Sequence, residues 1–99
     1  MAKLPLLSEI GHDVTGWGFF LCLDKEVATS RNGAAYLKVE LQDRSGFIKG
    51  KVFQDVDTVK LEFDAGEFVK VQGRTNFYQG HLEFVVDKIR RVMPERDAA

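Results

Sequence analysis

Apolar and polar residues alternate with a period of two along two central stretches of the chain. From Tyr36 to Gln42, positions 37, 39 and 41 are apolar and the positions between them are polar or aromatic. From Phe47 to Phe53 the pattern repeats, with Ile48, Gly50 and Val52 in one row. This period predicts two half-buried antiparallel strands. An apolar run from Trp17 to Leu23 alternates less clearly and predicts a central strand, buried in places on both sides.

Turn signals separate these strands. Asn32-Gly33 predicts a tight turn after the first strand, and Asp43 to Gly46 predicts another between the second and third. From Asp55 to Phe63 the period of two is lost, and Val56, Val59 and either Leu61 or Phe63 fall at helix-like spacings. We therefore expect a short helix of about two turns, capped by Asp55 or Asp57.

Two further strands complete the pattern, one from Glu67 to Arg74 and one from His81 to Val92, with a turn over residues 76–80. The order of three strands, a short helix and a closing hairpin predicts an all-β, five-stranded Greek-key OB-fold barrel. An SH3-like barrel is the nearest rival, but it lacks a helix between its third and fourth strands. We assign residues 14–92 to this domain, 1–13 to an N-terminal extension and 93–99 to a truncated linker.

Composition limits what such a domain can do. With 99 residues, 44% of them hydrophobic, the chain can bury one core but not a core and a deep catalytic cleft. The net charge is −1, yet basic residues dominate 31–51 and 68–91 while acidic residues dominate 52–67, so opposite faces can differ in charge. The lone Cys22 permits no internal disulfide and fits a reducing cytosol. We see no signal peptide or membrane span, and expect a cytoplasmic protein.

The outward row of the third strand carries the candidate chemistry. Phe47, Lys49, Lys51 and Phe53 should share one face, beside Tyr36 and Lys38 of the second strand. Rings stack on unpaired bases and ammonium groups accompany phosphates, so this row predicts a site for single-stranded RNA or DNA. In OB folds the flanking loops also contribute. The candidate residues are Arg31, Tyr36, Lys38, Phe47, Lys49, Lys51, Phe53, Phe77, Tyr78 and His81.

Other residues have less specific interpretations. Phe53 and Tyr36 could serve packing alone, and Trp17, Phe19 and Phe20 are expected in the core. The basic run of Lys88, Arg90 and Arg91 is expected to be a solvated face, with a second phosphate track as the alternative. The same surface of an OB barrel can also hold a protein or a second copy of the chain.

No catalytic or metal-binding motif is convincing. His12-Asp13 is the dipeptide of HD phosphohydrolases, but only His81 remains as a further histidine ligand. Asp55 and Asp57 lack further ligands at suitable spacing, and the Gly16-x-Gly18 pair precedes no helix. We therefore expect neither a cofactor nor a metal, and a chain that binds rather than catalyses.

The stretches 32–53 and 66–82 resemble the OB domain of YhaM-like 3′-5′ exoribonucleases and, more distantly, the anticodon-binding OB domains of class II aminoacyl-tRNA synthetases. The resemblance implies nucleic-acid contact through strands two and three. Lys38 stands where the synthetases often have a stacking Phe, and Lys49 where they have a base-reading Gln, so charge replaces base recognition. The exoribonuclease family joins this domain to a C-terminal HD phosphohydrolase domain with a metal site. The resemblance therefore implies a catalytic partner domain in the parent protein.

Overall fold

The fold is a closed barrel of five strands in the spatial order β1-β2-β3-β5-β4. A computed structural model describes residues 2–97. The predicted five-stranded barrel, with a helix between the third and fourth strands, is confirmed. The elements are β1 (Thr15–Thr29), β2 (Ala35–Asp43), β3 (Gly46–Val52), α1 (Val56–Val59), β4 (Phe68–Tyr78), β5 (His81–Arg91) and α2 (Pro94–Asp97).

The barrel closes along a short parallel ladder. β1 pairs antiparallel with both β2 and β4, β2 with β3, and β4 with β5. Only β3 and β5 run parallel, and their register joins three residue pairs, from Lys49–Glu83 to Lys51–Val85. Lys49 and Lys51, two of the outward residues that the sequence analysis selected on β3, therefore lie in this ladder.

One face of every strand fills the core. On β3, Ile48, Gly50 and Val52 point inward as predicted. Gly73 of β4 is required by close packing, because a Cβ atom there would lie 2.2 Å from the carbonyl oxygen of Val85. The core residues are Leu4, Phe20, Cys22, Leu37, Val39, Leu41, Ile48, Val52, Phe63, Val69, Val71, Phe84, Val86 and Ile89.

Strand β1 differs from its prediction in length and in burial. It continues to Thr29, with a register shift between Cys22 and Asp24. It also alternates: Phe20 is buried as expected, whereas Phe19 is 36% exposed, so the prediction of a core position for Phe19 was wrong. Trp17 is half-buried on the same outer side. The alternation was hidden because apolar side chains occupy both faces of the strand.

The helix is shorter than predicted. α1 is a single turn, and Asp55 occupies its N-cap position in a left-handed conformation (φ 52°) without a side-chain capping hydrogen bond. Of the two apolar candidates after it, Phe63 is fully buried and Leu61 is 76% exposed. Lys25 holds this segment to β1, because its ammonium donates to the carbonyl oxygens of Lys60 and Phe63 at 2.7 Å each.

Both terminal segments pack on the barrel. Leu4, in the predicted N-terminal extension, is a core residue, and its backbone N–H donates to the carbonyl oxygen of Trp17 at 2.7 Å. Part of the predicted linker forms α2, which Asp97 ties to β5 through a two-bond ion pair with Arg90, 2.9 Å for each bond. Residues 98 and 99 of that linker lie outside the described residues.

Candidate nucleic-acid interface

A groove crosses the outer surface of β2 and β3 and is bounded by β1 on one side and the β4–β5 turn on the other. Its volume is ≈ 730 Å³. We call it the β2–β3 groove. Seven of the ten predicted site residues line it: Tyr36, Lys38, Phe47, Lys49, Lys51, Tyr78 and His81.

The pairing of β2 with β3 sets the order of side chains in the groove. Lys38 lies opposite Lys51, and one step along the strands Glu40 lies opposite Lys49. Phe47 follows at the far end, with 68% of its surface exposed. The predicted alternation on β3 is therefore present, and its outward row carries one ring and two cations on a single face.

Phe53 and Arg31 extend this surface at the other end. The ring centroids of Tyr36 and Phe53 are 5.6 Å apart, with an interplanar angle of 30°. Phe53 and Arg31 line a second, smaller depression of ≈ 500 Å³ beside the β1–β2 turn. Because Tyr36 lines the groove and contacts Phe53, the two depressions form neighbouring parts of one surface.

Lys51 is held in place by two neighbours from the β4–β5 hairpin. Its ammonium nitrogen lies 4.7 Å from the centroid of the Tyr78 ring and 3.2 Å from Oε2 of Glu83. The Lys51 and Glu83 side chains are 24% and 18% exposed, so the pair is partly shielded from water. This cluster fixes one cation and one ring at the edge of the groove.

Phe77 does not join the groove. The predicted turn over residues 76–80 was too long, because β4 continues to Tyr78 and only Gln79 and Gly80 make the turn, both with positive φ. Neighbouring residues of a strand point to opposite faces. Tyr78 therefore faces the groove, while Phe77 contacts the His12 ring at a centroid distance of 5.4 Å.

Sequence reasoning missed the carboxylates of the groove. Asp24, Glu26, Glu40 and Glu83 line it together with Lys38, Lys49 and Lys51. Glu40 was visible in the outward row of β2, but Asp24 and Glu26 enter only because β1 is longer than predicted. With four acidic and three basic side chains, the groove has mixed charge rather than a strongly positive field.

Two of the three basic residues near the end of β5, Arg90 and Arg91, form ion pairs. Arg91 donates two hydrogen bonds of 2.8 Å to Glu67, and these raise the pKa of Arg91 and lower that of Glu67. Arg90 binds Asp97, which lowers the pKa of that carboxyl. Lys88 remains exposed to solvent. Arg90 and Arg91 therefore hold the end of the barrel together.

Within residues 2–97, no three His, Cys, Asp or Glu side chains are grouped so as to hold a metal ion. His12 instead lies beside Asp13, with 3.1 Å between Nδ1 and Oδ2.

Burial raises the pKa of the Cys22 thiol. Neither α1 nor α2 is long or apolar enough to cross a lipid bilayer.

A closed five-stranded barrel with rings and cations across β2 and β3 defines an OB domain of the nucleic-acid-binding class. A family model for the OB-fold nucleic acid binding domain, of the tRNA anticodon type, matches residues 22–92. The chain belongs to this family.

Curated relatives extend the comparison. The chain is 32% identical over 94 residues to the 3′-5′ exoribonuclease YhaM of Bacillus velezensis, covering 95% of this chain and 28% of that protein. It is 29% identical to YhaM of Bacillus subtilis, over 98% of this chain and 30% of that protein. The chain therefore spans under a third of the length of these relatives.

Solved structures share the fold at lower identity. A domain of replication protein A from Methanococcus maripaludis superposes with a TM-score of 0.75 at 21% identity, covering 92% of this chain and 96% of that one. Schizosaccharomyces pombe Pot1pC, solved with single-stranded DNA bound, gives 0.72 at 13% identity, covering 95% and 89%. Both show that the OB architecture is common to these chains.

Proposed function

We propose that the β2–β3 groove binds single-stranded RNA, and that the chain acts as the substrate-binding domain of a 3′-5′ exoribonuclease or related metal-dependent phosphohydrolase of the HD class. The observation that carries the proposal is the shared outward direction of Phe47, Lys49 and Lys51, beside Tyr36 and Lys38. RNA is favoured over DNA by the curated relatives, which are exoribonucleases.

The groove suits an unpaired strand for a physical reason. Phe47 and Tyr78 lie at different edges of it, so bases can stack on exposed rings while the backbone passes the lysines between them. Carboxylates among these lysines repel phosphates and leave few places where the backbone can approach. Binding through the groove therefore depends on stacking more than on charge.

Catalysis is assigned to a partner domain rather than to this chain. The domain would hold the strand and deliver its 3′ end to a separate phosphohydrolase domain in the same protein. Because the proposed ligand is RNA and the lone Cys22 is a free thiol, which fits a reducing compartment, we place the domain in the cytoplasm.

Titration of a labelled polypyrimidine strand tests the proposal, with RNA and DNA in parallel and fluorescence anisotropy as the readout. Two or three phosphate contacts, from Lys38, Lys49 and Arg31, give a slope of log K against log salt of about −1.4 to −2.1. A slope near zero, or no binding of either strand at low salt, would overturn the groove assignment.

A lysine variant sharpens this test. Lys49→Ala should weaken binding of every sequence and reduce the magnitude of the salt slope by about 1. Lys60→Ala is the matched control, because Lys60 follows α1 and pairs with Asp57 outside the groove. Equal effects of the two substitutions would mean that general charge, and not the groove, controls affinity.

A further inference from the structure

A second surface combines rings and cations on the other side of the barrel. We call it the β1–β4–β5 face. It is built from the outward residues of the first half of β1, of β4 and of β5. The register places Trp17 beside Gln72 and Lys88 in one row, and Phe19 beside Lys70 and Arg90 in the next.

Lysine side chains on this face form cation–π contacts with its aromatic rings. The Lys70 ammonium lies 5.0 Å from the centroid of the Trp17 ring, and that of Lys3 lies 5.8 Å from it. The Trp17 and Phe19 rings meet edge to face at 5.4 Å. Phe68, which is 64% exposed, lines a depression of ≈ 750 Å³ together with Phe19 and Lys3.

Charge distinguishes this face from the β2–β3 groove. In the two rows just described the charged side chains are Lys70, Lys88 and Arg90, all of them basic. Three carboxylates border this region: Asp97, which is bound by Arg90, Asp43, which lines the depression with Phe68, and Asp87, which is exposed beside Lys88 in β5. Among the described residues, neither Lys70 nor Lys88 forms an ion pair within 4.0 Å.

We infer that the β1–β4–β5 face is a second binding site for single-stranded nucleic acid. Single-stranded nucleic acid matches this combination better than a protein does, because exposed rings lie beside Lys70 and Lys88, which form no ion pair among the described residues. Bases would stack on Phe19 and Phe68, and phosphates would approach Lys3, Lys70 and Lys88. The inference shares its ligand class with the proposed function but uses different residues.

The fluorescence of Trp17 provides a direct test, because it is the only tryptophan in the chain. Two labelled oligouridine strands are titrated, one of about 6 and one of about 20 nucleotides, since one OB domain covers roughly 4–16. Anisotropy reports total binding, and Trp17 emission reports occupancy of the second face. We expect the long strand to change Trp17 emission at saturation.

Charge variants connect that signal to the face. Lys70→Gln combined with Lys88→Gln should remove the change in Trp17 emission and reduce the salt slope for the long strand by about 2. Phe19→Ala should weaken binding of the long strand about tenfold. Lys60→Gln serves as the matched control. An unchanged emission with the long strand at saturation, with affinity indifferent to both sets of substitutions, overturns the inference.

The remaining outcomes separate this inference from the proposed function. If Phe47→Ala weakens binding of the short strand while Trp17 emission does not change with the long strand, the groove assignment is supported and the second site is overturned. If Phe47→Ala leaves the affinity for the short strand unchanged while the long strand changes Trp17 emission, the second site is supported and the groove assignment is overturned. A Trp17 signal that depends on protein concentration alone, and that oligouridine does not displace, would make the face a protein interface and overturn the inference.

Discussion

At the scale of single residues, the groove is defined by a ring that the barrel does not need. Phe47 keeps 68% of its surface exposed, whereas Ile48 beside it is buried. An exposed aromatic side chain contributes little to the free energy of unfolding. Its replacement therefore changes the affinity for a ligand without changing the stability of the barrel. The same reasoning applies to Lys49, which is exposed and forms no ion pair within 4.0 Å among the described residues.

Phe47→Ala is expected to weaken binding of an RNA strand by roughly 5- to 150-fold, because one stacked base contributes about 1–3 kcal/mol. The salt slope should not change, since no cation is lost. Leu61→Ala is the control, because Leu61 is 76% exposed and lies outside the groove. Anisotropy titrations at two salt concentrations measure both quantities, and a reduced slope would show that ring and charge do not act separately.

Glu83→Gln is expected to tighten binding and to steepen the salt slope by about 1. Glu83 neutralises Lys51 at 3.2 Å, and its removal frees that ammonium for a phosphate. Glu9→Gln, an exposed change outside the groove, controls for net charge. Weaker binding by Glu83→Gln would indicate that the carboxylate itself accepts a hydrogen bond from a base.

At the scale of elements, a strand was predicted correctly where the side chains on its outer face are largely polar. β2 and β3 were predicted correctly because one face of each is buried and the other is largely polar. β1 was misread because its outer face carries Trp17 and Phe19, so both faces are apolar and the alternation is hidden. The end of β4 was misread because Asn76 to Gly80 has the composition of a turn, while pairing with β5 extends the strand to Tyr78.

The candidate site shows the same division. Neighbours on β2 and β3 were brought together as predicted, because register follows from alternation and short turns. Phe77 was misplaced because β4 continues beyond its predicted end at Arg74 to Tyr78, and within a strand Phe77 and Tyr78 point to opposite faces. Asp24 and Glu26 were missed because the second half of β1 is defined by its pairing with β2, which the periodicity of β1 alone does not reveal.

Lys25→Met is expected to lower the free energy of unfolding by about 1–3 kcal/mol, because the carbonyl oxygens of Lys60 and Phe63 would lose their donor. The effect belongs to the α1 segment, which these bonds attach to β1. Urea denaturation measures it, with Lys49→Met as the matched control at an exposed position. Equal stability of the two variants would mean that water replaces the ammonium without cost.

At the scale of the whole molecule, Asp43 connects the N-terminal segment to the barrel. Its carboxylate accepts hydrogen bonds from the backbone of Leu7 at 2.8 Å and from the hydroxyl and backbone of Ser45 at 2.7 Å each. Burial acts to raise the pKa of Asp43, but these bonds, with one from Gly46, outweigh it and lower that pKa. The folded barrel therefore prefers the ionised form of this group.

Asp43→Asn is expected to lower the melting temperature at pH 7. The pKa of Asp43 is lower in the folded than in the unfolded state, so its contribution is present above the unfolded value of about 3.9 and is lost as pH falls below it. The difference between the native protein and the variant should therefore shrink below about pH 4. Thermal unfolding followed by circular dichroism measures this, and a difference independent of pH would exclude the charge as its cause.

The parallel ladder between β3 and β5 lies where a ligand in the groove would stabilise the barrel. Its three residue pairs are the shortest contact between neighbouring strands of the barrel. A ligand that touches Phe47 and Lys49 on one edge, and Tyr78 and His81 on the other, would span this join and fasten it from outside. Amide hydrogens of residues 49–51 and 83–85 would then exchange more slowly in the loaded domain than in the empty one.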